Sequence, residues 1–176
     1  MTSTDTQTGF RDLDELKEAN RRAGHHYFDA DTMRFFRSRL PDSHVYGGRF
    51  FITSEQFECS DGHREPRAYT VRTANLDGST GADVGGFQEW ATLADARAIA
   101  RAAAEGYAQG LDANPDERSS GALWAAYQQG RALRRFEDDN APDKYGNTRA
   151  DYLREDVKRL QAQIDAKNAE IAALEG

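Results

Sequence analysis

One cysteine, Cys59, stands in a chain of 176 residues, so no disulfide can form within it. A lone thiol is expected to stay reduced, which fits a cytoplasmic protein. Long apolar runs are missing too; no stretch is long enough to span a bilayer, and no membrane partner is expected. The opening MTSTDTQTGF has neither a basic start nor an apolar run, so it does not read as a signal peptide. Basic excess is absent as well. Taken in four successive parts, Asp and Glu outnumber Lys and Arg in each, and the net charge is −7. A surface that tracks phosphates needs clustered Arg or Lys, so the sequence argues against one. Apolar residues make up 38% of the chain and charged residues 30%. The expected core is therefore small, with some segment standing in solvent.

Catalytic motifs are also missing. There is no Gly-rich phosphate loop followed by Lys, no H-E-x-x-H and no G-x-S-x-G. Cys59 and His63 share a loop and could contribute to a zinc site, but no second Cys or paired short spacing accompanies them. No metal, cofactor or catalytic residue is expected, and the chain reads as a non-enzyme.

What is present is an ordered series of elements. Residues 1–10 read as a disordered tail and residues 11–110 as an α+β domain. In DLDELKEANRRAG, Asp12 caps a helix, Glu15 reaches back, and Gly24 ends it. A second helix is expected in DADTMRFFRSRL, with Met33, Phe36 and Leu40 on one face and Pro41 as its stop. Strands are expected over Val45–Phe57, in RAYTVRTANL and in GFQEWAT, with DGSTGADVGG as a long Gly-rich loop before the last. In the first strand Phe50 and Ile52 alternate with Phe51 and Thr53. Aromatics fall on both faces, so either both are covered or the strand is central. Thr92 and Asp95 open an Ala-rich helix whose face is Leu93, Ala96, Ile99 or Ala100, Ala103 and Tyr107. The fold class is thus α+β. A small three-stranded antiparallel sheet packs on the Ala-rich helix, short helices precede it, and a helical, coiled-coil extension follows.

In that extension, residues 111–118 and 139–147 read as linkers around a helix at 119–138. Its expected apolar contacts are Leu123 or Trp124, Tyr127 and Phe136. Gly130 costs a mid-helix position ~1 kcal/mol relative to Ala, so it points to a close contact, a kink or a break. Residues 148–176 carry heptads, with Ala150, Val157, Ile164 and Ile171 at a and Leu153, Leu160, Lys167 and Leu174 at d. β-Branched residues at a with Leu at d favour a parallel dimer. A homodimer is expected through Leu153, Val157, Leu160, Ile164, Lys167, Ile171 and Leu174.

The stretch GGFQEWATLADARAIARAA resembles the small DNA-binding domains of tyrosine recombinases and AP2-type plant factors. With the preceding helix, the element order also resembles double-stranded RNA-binding domains. These resemblances imply contact through sheet residues Arg49, Arg67 and Arg72, with Arg97 on the helix. A wider likeness is carried by ANRRAGHHYF, TMRFFRSRL, GGRFFITSEQF, RAYTVR and VGGFQEWAT. Over about Ala19–Ala104 the chain resembles a family of small uncharacterised proteins from actinobacteria, their phages and plasmids. That resemblance implies a mobile-element context and an intracellular site, and assigns no activity. The leading expectation is a phage or mobile-element accessory protein, a dimeric adaptor or modulator that binds a protein partner. The alternative is a nucleic-acid-binding regulator; a zinc protein or enzyme is the distant third.

Overall fold

The structure, a computed structural model, describes residues 9–110, 121–143 and 145–175, the last four of these in backbone only. Most of the tail expected at residues 1–10, the linker expected at 111–118 and the Leu174 side chain lie outside the described residues. The elements in order are α1 (Leu13–Arg22), α2 (Ala30–Phe35), β1 (Phe50–Glu55), β2 (Ala68–Ala74), β3 (Thr80–Val84), α3 (Leu93–Gln109), α4 (Ala122–Asn140) and α5 (Arg149–Glu175). Two compact units divide the chain, Met1–Arg134 and Arg135–Gly176, with the division inside α4.

The first unit is an antiparallel sheet of order β1-β2-β3 with helices on both faces. One face presents Phe50, Ile52, Val71 and Val84 to the small residues of α3, Ala96, Ala100 and Ala103, with Ile99 and Tyr107 beside them. Both Ile99 and Ala100 are buried. The other face buries Phe51 and Ala74 against Leu13 and Leu16 of α1, with Phe10 and Val45. β1 is thus an edge strand with all six residues buried, because the two faces are both covered. Phe10, whose neighbours in sequence read as a tail, is buried instead. Its backbone N–H donates to Gly48 O at 2.9 Å, and its ring completes the α1 core.

Local sequence explains most boundaries. Asp12 Oδ1 accepts from the Glu15 N–H at 2.9 Å, and Glu15 reaches back one residue further than the standard box, to the N–H of Arg11. Thr92 caps α3 by accepting from the Asp95 N–H at 3.1 Å. Three expectations fail. α2 ends at Phe35, well before Pro41, because Arg37 takes a left-handed backbone (φ 50°) and turns the chain back to pair Arg39 with Ser54. The first strand starts at Phe50, since Val45–Arg49 is spent in a turn that brings Tyr46 N onto Phe50 O.

The third correction concerns the last strand. It lies at Thr80–Val84, inside the stretch read as a loop. The turn is short: Asp77 accepts from Ser79 N at 2.9 Å, and Asn75 N donates to Ser79 O at 2.9 Å. What holds so polar a strand is pairing, Val84 against Val71 and Asp83 against Arg72. GFQEWAT rejoins the sheet by a single bridge, Trp90 to Tyr69, after an excursion at Gly85–Glu89.

α4 crosses α3 in near backbone contact. A Cβ on Gly106 would stand 2.0 Å from Tyr127 O, and one on Gly130 would stand 1.9 Å from Ala103 O. Gly130 therefore marks a close contact. Ala126 and Tyr127 are the buried apolar residues of α4; of the expected pair Leu123 or Trp124 it is Trp124 that is half-buried, stacked on Tyr127, whereas Leu123 and Phe136 are exposed. In the second unit, α5 opens on Thr148, whose Oγ1 accepts from the Asp151 N–H at 3.3 Å. Its heptad residues Leu153, Val157, Leu160, Ile164 and Ile171 are each more than half exposed in the single chain.

Candidate functional site

Three adjoining cavities surround the C-terminal end of β1. The first, of about 380 Å³, is lined by Arg34, Arg37, Arg39, Arg64 and Arg67. α2 supplies Arg34, the reversal after it supplies Arg37 and Arg39, and the β1–β2 connection supplies Arg64 and Arg67. Among the described residues two carboxylates touch these five guanidiniums. Glu58 bridges Arg37 and Arg64, and Asp31 meets Arg34 at 3.2 Å. Those arginines hold the Glu58 carboxyl below its usual range by hydrogen bonding. Arg39 makes no ion pair among the described residues. Arg67 is tied to backbone, donating to Ser54 O at 2.7 Å and Arg37 O at 3.3 Å. Burial, and next the charge of Arg39, push its pKa down.

The second cavity, about 410 Å³, adjoins the first at Arg37 and is walled by Phe35, Phe36, Phe57 and Phe87. All four rings are exposed, by 81%, 59%, 61% and 56%. Arg37 and Gln88, both on this wall, are the two non-glycine residues with positive φ among the described residues. Backbone in that region costs about 1–3 kcal/mol and tends to gather at functional sites. Gln88 is held there by its N–H donating to Thr70 Oγ1 at 2.9 Å, which sets Phe87 over the cavity.

The third cavity, about 220 Å³, lies between Phe36 and Phe87 over a polar floor. Glu55 accepts from Thr70 at 3.1 Å, Ser38 at 3.2 Å and Arg72 at 3.4 Å. Arg72 also reaches Thr53 at 2.9 Å and Asp83 at 3.0 Å, and its guanidinium lies over the Tyr27 and Phe87 rings. Burial pushes the Asp83 carboxyl up, against the pull of Arg72. The Tyr27 hydroxyl is buried with no hydrogen-bond partner among the described residues, and its pKa is pushed up to about 12, mainly by burial. Two outcomes are expected of Tyr27→Phe. It should leave stability unchanged or raise it by about 1 kcal/mol, because an unsatisfied polar group is removed. It should also abolish a loss of stability between about pH 10 and 12, where the unfolded chain, but not the folded one, gives up this proton. Denaturant melts of both proteins across that range check both.

The residues singled out from sequence are scattered. Arg49 is wholly buried and bonded to Ala74 O and the Tyr107 hydroxyl, so it cannot serve an outer face. Arg72 is tied into the floor just described, and Arg97 pairs with Asp42 at 3.1 Å on α3, behind the opposite sheet face. Arg67 alone of the four lines the basic cavity. Cys59 and His63 meet through backbone, Cys59 N to His63 O at 2.7 Å. Among the described residues no three His, Cys, Asp or Glu side chains gather as a metal set. Sequence reading missed Arg34, Arg37, Arg39 and Arg64. Their one signal was Arg recurring at short spacing in RFFRSR, next to paired phenylalanines.

Fold and cleft together define a small α+β domain with a basic, aromatic-walled cleft. The chain belongs to a family of unknown function, DUF7447, which matches residues 12–101. The matched stretch contains every arginine and phenylalanine of the cleft, and ends before α4 and α5. No curated protein and no solved structure matches the chain. No helix among the described residues is long and apolar enough to cross a membrane.

Proposed function

We propose that this chain is a non-enzymatic, homodimeric nucleic-acid-binding accessory protein. One observation carries the reading: five arginines converge beside four exposed phenylalanines. Guanidinium forks suit phosphate, and open aromatic faces suit bases. The sequence ranks a protein partner first because no large segment is basic; the arginine cluster exists only once α2 and the reversal after it meet the β1–β2 connection. The lone thiol supports a cytoplasmic site, and the resemblance described above supports a phage or mobile-element context. The test is a mobility shift with a mixed pool of single- and double-stranded DNA and RNA at low salt. Binding that weakens in Arg39→Glu supports the reading; no shift with any member of the pool rejects it.

Dimerisation is supported by the heptad row of α5, whose apolar side chains have no cover in the single chain. Deleting residues 147–176 is expected to give a monomer by light scattering at micromolar concentration. A truncated protein that stays dimeric would place the interface elsewhere. A protein partner keeps one observation in its favour, since interfaces between proteins also concentrate aromatic rings and arginine. A pull-down that captures one protein, and loses it in Phe57→Ala, would support that second reading.

A further inference from the structure

We infer that the nucleic acid taken by this cleft is a short single strand, its phosphates on Arg39 and Arg67 and its bases stacked on Phe57 and Phe87. The inference rests on the nucleic-acid reading and goes further by naming the form of the ligand. Three observations favour a strand over a duplex.

The first is shape. The basic cavity, about 380 Å³, and the aromatic one, about 410 Å³, are local hollows that meet at Arg37. A duplex presents a convex cylinder with its base faces closed by stacking, so it could reach neither the floor of the hollows nor the rings. A single strand can splay its bases onto aromatic side chains while its backbone follows a positive groove.

The second is the make-up of the wall. Its four exposed apolar side chains are all phenylalanine, set within reach of guanidiniums. Flat rings without aliphatic neighbours serve stacking better than they serve an interdigitated interface. Phe35 and Phe36 already meet edge to face, with ring centroids 5.0 Å apart. Phe57 and Phe87 form no such pair among the described residues; the Arg72 guanidinium lies over one face of Phe87, so a base would stack on Phe57 and on the other face of Phe87.

The third is charge. Arg39 has no ion pair among the described residues, and Arg67 is anchored by backbone oxygens that leave its charge uncancelled. The chain as a whole carries −7, yet five arginines gather on the basic cavity. Such a distribution suits a few phosphates and repels the long phosphate track of a duplex.

The experiment is fluorescence anisotropy of the full chain with a labelled oligothymidylate of about ten nucleotides. A labelled duplex of equal length runs beside it, across a salt series from about 20 to 200 mM. The strand is expected to bind at least about ten-fold tighter than the duplex, with a salt slope near −1.4 for two phosphate contacts. Arg39→Glu should flatten that slope. Phe57→Ala and Phe87→Ala should each weaken the strand about ten-fold, whereas Phe57→Trp should keep it. All these side chains are exposed, so unchanged melting temperatures separate a lost contact from lost folding. A duplex that binds as well as the strand overturns the inference and spares the broader reading. So does strand binding that inorganic pyrophosphate displaces but Phe57→Ala and Phe87→Ala leave intact, which would mark a plain phosphate site. No binding of either form at the lowest salt overturns both.

Discussion

Gly130→Ala is expected to lower the melting temperature by roughly 10 °C. On an exposed helix the same change would raise stability by about 1 kcal/mol. Here the added Cβ would meet Ala103 O at 1.9 Å, its carbonyl carbon at 2.8 Å and Tyr107 N at 2.9 Å. These are backbone atoms of α3, so no rotamer change can relieve them. α4 would have to move outward, which unpacks Ala126 from the sheet core and uncovers the buried Tyr127. Overpacking of this kind costs about 1–3 kcal/mol or more, and the lost burial adds to it. We place the net loss near 3 kcal/mol, enough to outweigh the helix propensity gained. Gly106→Ala should behave alike, since its Cβ would meet Tyr127 O at 2.0 Å. Thermal melts followed by circular dichroism check both; an unchanged or higher midpoint for Gly130→Ala would mean that the helices do not touch there.

Arg49→Ala should cost about 4 kcal/mol, again read from a melt. The side chain is fully buried, with Nε donating to Ala74 O at 2.8 Å and a terminal nitrogen donating to the Tyr107 hydroxyl at 2.9 Å. Its guanidinium also sits 5.2 Å from the centre of the Tyr107 ring. One residue thereby links the start of β1, the end of β2 and the end of α3. Truncation would leave two polar groups without this donor and open a void among packed atoms. Lysine is no substitute, because a single ammonium cannot make both bonds in the same plane. The contrast with Arg39→Glu is diagnostic. Arg49→Ala should lower stability and leave nucleic-acid affinity of the folded protein unchanged, whereas Arg39→Glu should do the reverse. Equal loss of affinity in both would return Arg49 to the surface role that its place in a strand suggests.

Why a sequence reader places Arg49 on an outer face is instructive. Arginine is almost never fully buried unless paired, so exposure is the reasonable expectation. What overrides it is a partner set brought from residues 25 and 58 positions away, Ala74 and Tyr107. Thr80–Val84 is a similar case. TGADV has a glycine, an aspartate and little β-branched content, and its strand conformation comes from Arg72 and Val71 opposite it. Neither signal exists within a local window.

Local chemistry was enough for α1, α3 and α5. Asp12, Thr92 and Thr148 each cap through their own neighbours, and the Ala-rich face of α3 repeats with the helical period. The α+β class and the antiparallel sheet followed from the same short-range rules. Gly130 was legible as an anomaly, though the neighbour that required it was not. The cleft left one local trace, the recurring Arg of RFFRSR beside paired phenylalanines. Charge summed along the chain averages Arg34, Arg37, Arg39, Arg64 and Arg67 with the acids between them, and the total stays negative. Only the reversal at Arg37 and the pairing of Arg39 with Ser54 set those arginines side by side, with Glu58 alone of the acids between them bridging two of the five. Caps and helical faces are settled within one or two turns of chain, so the sequence determined them; a charge cluster depends on which distant segments touch, and that was decided by the tertiary fold.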